Sequence, residues 1–213
     1  MMTNARSTMK HRHLLSLLLI VPFLCPALRA QNTSQPAGNP RRAALIFGPR
    51  HAFTIRAPDR WTLDTRSGQG QGLQAVFYPD GERWSTSSAV MYCQVVARGK
   101  DIKDLRGIIE YDQARHRNSA PGAVTATEPP IPLGGGKTAS VLRFSGGGNG
   151  NFSQTAYIEE RSVIVLVNLS CRSAEAFDRS LGGFTDFVKS YTFLADDEEN
   201  ILRAVEAAEL DAE

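Results

Sequence analysis

The chain has 213 residues, of which 42% are hydrophobic and 22% charged, values of a globular protein and not of a disordered one. A net charge of +2 hides an uneven distribution. Arg6, Lys10, Arg12 and Arg29 fall in the first 30 residues with no acid, the span 31–195 holds 19 basic against 14 acidic groups, and the last 18 residues hold eight acids against Arg203. No basic run carries interleaved aromatics, which argues against nucleic acid as a partner. After the leader no segment approaches the ~20 consecutive apolar residues of a membrane-spanning helix.

The start, MMTNARSTMKHRH followed by LLSLLLIVPFLC, has a basic stretch and then an apolar stretch of 11 residues, Leu14–Leu24. That is the form of a Sec-type secretory signal, with cleavage expected after Ala30 or Ala27. Leu24 precedes Cys25, where a bacterial lipobox wants a small residue, so a lipid anchor is not expected. Export to a periplasmic or extracellular setting follows as an expectation. Residues 31–42 (QNTSQPAGNPRR) read as a polar tether, 43–195 as a single domain, and 196–213 as an acidic tail of possible helical form. The tail either folds back on its own domain, faces a basic partner, or is simply solvated.

Within the domain, Ala43–Phe47 and Ala52–Ala57 read as strands parted by a Gly-Pro turn, and Pro58-Asp59-Arg60-Trp61 as a further turn. Leu73–Tyr78 reads as a strand ended by Pro79-Asp80-Gly81, and Ala89–Ala97 as another. Ile102–His116 is expected to be helical, with Ile102, Leu105, Ile108 and Ile109 as its apolar stripe and Asp101 as its cap. Thr138–Phe144, Phe152–Ile158 and Val163–Leu169 follow as strands, the last apolar on both faces and therefore expected at the middle of a sheet covered on each side. Ala174–Ser190 is expected to be a helix capped by Ser173, with Phe177, Leu181, Phe184, Val188 and Tyr191 in one stripe. The fold class expected is α+β, one mainly antiparallel sheet flanked by helices, with a crossover helix after the fourth strand.

Chemistry-bearing patterns are sparse. Gly135-Gly136-Lys137-Thr138 lacks the earlier glycine of a phosphate loop, since Ile131 stands there, and it opens a strand instead of a helix. The Gly68–Gly72 and Gly146–Gly150 runs read as loops that can border a groove. His116 follows Asp112 by four residues, an ordinary surface pair. Glu159-Glu160 falls in a hairpin turn, where charges are simply solvated. No Gly-x-Ser-x-Gly elbow or His-Glu-x-x-His occurs, so no catalytic residue, metal site or cofactor is expected. Trp84, Trp61 and Tyr78 are the candidate recognition aromatics, with Trp61 read also as a core or wedge residue. Cys93 and Cys171 lie in strands and read as two separate buried thiols or, in an oxidising compartment, as a disulfide if their strands are neighbours.

The order of elements resembles the PsbP-like fold, which includes photosystem II PsbP, a Ran-binding import factor and DcrB-like bacterial envelope proteins. Phe53-Thr54-Ile55 leading to Pro58-Asp59-Arg60-Trp61 carries the resemblance, with Val76-Phe77-Tyr78-Pro79, the Ala89–Ala97 strand, Ala156–Glu160, and Val188-Lys189-Ser190-Tyr191-Thr192-Phe193. It covers about residues 43–194. The resemblance implies an α/β/α arrangement and a domain that docks on proteins without a shared catalytic set. The expectation is therefore an exported, non-catalytic domain that engages a protein partner. A carrier with an apolar cavity between sheet and helix is the alternative, as is a small hydrolase with spatially assembled residues.

Overall fold

The computed structural model describes residues 42–210, so the expected leader, Cys25 and most of the tether lie outside the described residues. Ten strands form among them. Three build a small antiparallel sheet: β1 (Ala43–Gly48), β2 (His51–Arg56) and β10 (Thr192–Ala195), in the order β1-β2-β10. Seven build the main sheet: β3 (Trp61–Asp64), β4 (Val76–Pro79), β5 (Ala89–Ala97), β6 (Val124–Pro132), β7 (Thr138–Ser145), β8 (Phe152–Glu159) and β9 (Val163–Cys171). Their order is β3-β4-β5-β9-β8-β7-β6, antiparallel throughout. The helices are α1 (Leu105–Arg117), α2 (Ala174–Lys189) and α3 (Glu198–Leu210). The fold is α+β.

β9 is the fourth of the seven strands, where its unbroken VIVLV run belongs, because α2 packs on one face and Ile164 and Leu166 pack with Ile108 of α1 on the other. One face turns Met91, Cys93, Val165, Val167, Ala156 and Ile158 towards α2 and the small sheet, and these share one core with Phe53, Phe177, Phe184 and Phe187. Phe77 of the main sheet meets Phe187 of α2 edge to face at 4.6 Å, and Phe53 of the small sheet lies 5.1 Å from Tyr191 just after that helix. The opposite face turns Leu142, Phe144, Tyr157, Ile164 and Leu166 towards Ile108 of α1. Single-residue alternation along each strand sends neighbours to opposite faces, so the two cores are set by parity.

α1 starts at Asp104, whose carboxylate accepts from the Gly107 amide, and not at the expected Asp101. α2 starts as expected at Ser173, whose hydroxyl accepts from the Ala176 amide. The main departures from expectation are the second sheet and three further strands. β3 begins at Trp61, the last residue of the expected turn, and runs on through residues given no element; β6 holds Glu128-Pro129-Pro130 at a register shift on the sheet edge, and β10 follows α2 directly. Prolines lack the donor a central strand needs, so β6 sits where its outer side meets no partner. The acidic tail forms α3, which folds back on the small sheet: Ile201 is buried with Ala52 and Ala195, beside Leu45 and Ala204. Arg161 holds Asp196 by two hydrogen bonds, of 2.7 and 2.9 Å, just before that helix.

Cys93 and Cys171, the two cysteines among the described residues, are free thiols. Their strands are neighbours, but Cys93 faces Val167 while Cys171 faces Ala89, four residues along the ladder. At ~3.3 Å per residue that is about 13 Å, well beyond bridging reach. The possible disulfide is thereby corrected. Burial pushes the Cys171 thiol up to about 11 and the Cys93 thiol further, so both behave as small core residues.

Candidate binding groove

On the α1 side, the sheet changes character along its strands. Register aligns Gln94 with Leu166 and Tyr157, then Tyr92 with Asn168 and Thr155, then Val90 with Ser170 and Ser153. The first of these rows lies towards α1; the next two are richer in amide and hydroxyl groups. α1 lies over β6 and β8, so the β5–β9 part of this face is left as the floor of a groove. The groove has a volume of about 630 Å³ and opens to solvent. That is a size able to seat a ligand or a short segment of a partner.

The floor is held rigid by its own hydrogen bonds. Thr155 Oγ1 donates to Asn168 Oδ1 at 2.9 Å, and Asn168 Nδ2 donates to the Leu166 carbonyl at 3.2 Å and to Gln94 Oε1 at 3.4 Å. Asn168 and Thr155 are buried while Gln94 is exposed, so the network runs from the sheet interior to the groove surface. Polar groups so deep in a sheet are tolerated because each finds a partner.

The α1 wall supplies the charge. Asp112 is 8% exposed, accepts from the Tyr157 hydroxyl at 2.9 Å, and is approached by Arg115 at 3.3 Å. Burial, reinforced by the Asp112 carboxylate, pushes the Tyr157 phenol far above its ordinary value. His116, one turn after Asp112, does not pair with it. Its Nε2 lies 2.9 Å from the Ser145 carbonyl, and its ring meets Phe144 edge to face at 5.1 Å. The surface pair expected of Asp112 and His116 is thus replaced by two separate anchors, each tying α1 to the sheet.

The Gly146–Gly150 loop forms the rim at one end, with Gly148 and Asn149 on the groove. Its composition has a steric cause. A Cβ on Gly146, whose φ is 68°, would lie 2.0 Å from the Gly122 carbonyl oxygen, and one on Gly148 would lie 2.7 Å from that of Ser119. Only glycine lets the loop lie this close to the end of α1. Tyr111, 57% exposed, stands on the other wall.

The three aromatics expected for recognition do not meet here. Trp61 is buried against α2, with its indole Nε1 3.2 Å from the position a Cβ on Gly183 would take, so it offers no surface to a partner. Tyr78 is half-buried, and its hydroxyl donates to Asp64 Oδ2 at 3.0 Å. Trp84 is half-buried in the turn before β5 and is not part of the groove. The groove residues Tyr92, Gln94 and Asn168 carried no sequence signal of their own. The alternation within AVMYCQVVA and VIVLVNL, read with the register of the two strands, is what places them together.

Glu160, expected to be solvated, is 6% exposed at the other side of the molecule. Lys137 Nζ lies 2.5 Å from one of its oxygens, and the Tyr191 hydroxyl donates to the other at 3.1 Å. The β8–β9 turn tucks this carboxylate inward, while Glu159 takes Arg98.

No protein-family profile matches the chain, and no curated protein matches it in sequence. Its fold is similar to that of cyanobacterial PsbP from Synechocystis, at 13% identity and a TM-score of 0.48 over 76% of this chain and 98% of that one. It is similar to LpqN of Mycobacterium tuberculosis, involved in cell envelope biogenesis, at 13% identity and 0.48 over 71% and 90%. It is similar also to the Saccharomyces cerevisiae Ran-binding protein Mog1p, at 9% identity and 0.42 over 66% and 89%.

Proposed function

We propose that this chain is an exported, non-catalytic binding domain that seats a protein partner in the groove between α1 and the β5–β9–β8 face. The observation that carries the reading is the polar floor: a pre-formed amide and hydroxyl surface in the middle of the main sheet, where an apolar face would otherwise be packed. The floor is the face of the sheet and not its edge, so the partner is held by side chains and not by an added strand. Neutral floor groups beside one Asp112–Arg115 pair suit an uncharged polar segment better than an apolar helix or an anion. The titratable groups on the wall are already engaged, Asp112 by Tyr157 and Arg115 and His116 by the Ser145 carbonyl, which supports binding over proton transfer. The apolar stretch Leu14–Leu24 supports export, and among the described residues no helix is long and apolar enough to cross a membrane.

The test is capture of partner proteins from native envelope by the full chain and by two variants. Gln94→Arg places a charge on the exposed part of the floor; it should lower capture by at least about tenfold while the chain stays folded, since the Asn168 amide keeps the Leu166 carbonyl as acceptor. Trp84→Ala should leave capture intact. Loss with Trp84→Ala and retention with Gln94→Arg would move docking to the turn before β5.

A further inference from the structure

A second concavity lies on the opposite side of the sheet, between edge strand β6 and α2. It has a volume of about 330 Å³ and is independent of the groove. Phe177, Leu181, Thr185 and Lys189 recur every four residues along α2 and form one wall, so the slot follows the helix for about 18 Å. Pro129, Pro130, Ile131 and Pro132 of β6 form the other, and the prolines give that strand a hydrocarbon surface.

The polar groups are concentrated at the Phe177 end. Arg143 and Gln154 face each other directly across β7 and β8 on a sheet face otherwise built from Ala139, Val141, Ala156 and Ile158. The Arg143 guanidinium carbon lies over the Phe177 ring, 4.8 Å from its centroid, and among the described residues no carboxylate lies within ion-pair distance of it. Gln154 is only 8% exposed, yet its carboxamide makes no hydrogen bond to another described residue. The contact with the ring leaves the guanidinium N–H groups without a protein acceptor among the described residues. The half-buried Arg143 cation and the Gln154 amide therefore lie side by side with donors turned to the slot and not committed to another described side chain.

Charge selects the ligand. Arg143 and Lys189 line the slot with Glu128, leaving one net positive charge, and Glu128 repels a second negative charge on any occupant. We infer that this slot binds a small organic monocarboxylate with an apolar body, its carboxylate on Arg143 and Gln154 and its hydrocarbon along Leu181 and Pro130. A planar carboxylate matches the guanidinium fork, with the Gln154 amide as a third donor.

The experiment is a titration of the full chain with sodium octanoate, followed by NMR at the Arg143 Nε–H and the Gln154 side-chain amide, with octanol and inorganic phosphate as comparison ligands. Octanoate should shift both signals saturably, octanol at least about tenfold more weakly, and phosphate neither. Arg143→Gln should weaken octanoate by at least about tenfold and Arg143→Lys by less, since Lys keeps the charge without the fork. Gln154→Ala, which removes a donor without uncovering Phe177, should also weaken it. The inference is overturned if octanoate leaves both signals in place, if octanol matches it, or if phosphate binds as well as octanoate. None of these outcomes bears on the groove, whose signals lie on the other face.

Discussion

Asp64 shows how a few short hydrogen bonds decide a titration. Partial burial works to raise its carboxyl, but the Ser67 side chain and amide, the Arg66 amide and the Tyr78 hydroxyl outweigh it and hold the group at about 2, below its ordinary 3.8. A depressed folded value means that the stabilisation is complete above the unfolded value near 3.8 and is lost as pH falls towards about 2. The stability difference between the wild type and Asp64→Asn should therefore be present at neutral pH and shrink across that acid window. Chemical denaturation at a series of pH values measures it, and a difference independent of pH from 5 to about 2 would contradict the assignment. Glu160 carries a different load. Glu160→Ala leaves the buried Tyr191 hydroxyl without its acceptor, while Lys137, 48% exposed, recovers water. The expected cost is about 1–3 kcal/mol of unfolding free energy, most of it from Tyr191. Lys137→Ala also leaves Glu160 without its cation.

Elements were legible where their burial is one-sided or complete. α2 and β9 announce themselves, one by a stripe at helical spacing and the other by an unbroken apolar run, because both lie in the middle of the core. β6 was invisible because its three prolines interrupt the β-branched residues Val124, Thr125, Thr127 and Ile131, and its exposed edge leaves no apolar alternation to display. β3 and β10, of four residues each, are strands only because β4 and β2 pair with them. The groove was illegible for a similar reason: Tyr157 and Asp112 are 45 residues apart, and only the crossover from β5 through α1 to the far edge brings them together. At this scale α3 and the thiols make two predictions. Removing residues 198–213 uncovers Ala52, Ala195 and Leu45 but no part of the main core, so the protein should stay folded, with a loss of about 1–3 kcal/mol for the Ile201 contact. Alkylation without reductant should label neither Cys93 nor Cys171 in the native state and both after denaturation. A bridged pair would stay unlabelled throughout.

In the whole molecule, the main sheet separates two environments. α2 and the small sheet close one side around aromatic packing, and α1 covers part of the other, leaving the groove with its polar floor open to solvent. The rigid side gives the groove a fixed geometry, since Asn168 lies on the most buried strand of the sheet and cannot move without disturbing it. Binding should accordingly need little rearrangement of the backbone. The measurement that tests this account most directly is site-specific photo-crosslinking in the native envelope, with the reactive side chain placed in the full chain at position 94, 84 or 106 in turn. Arg106, 84% exposed, pairs with Glu110 on α1 outside the groove and serves as the control. The account predicts a discrete protein adduct at position 94 that is absent at 84 and 106. Adducts concentrated at 84, or equally strong at 106, would contradict it.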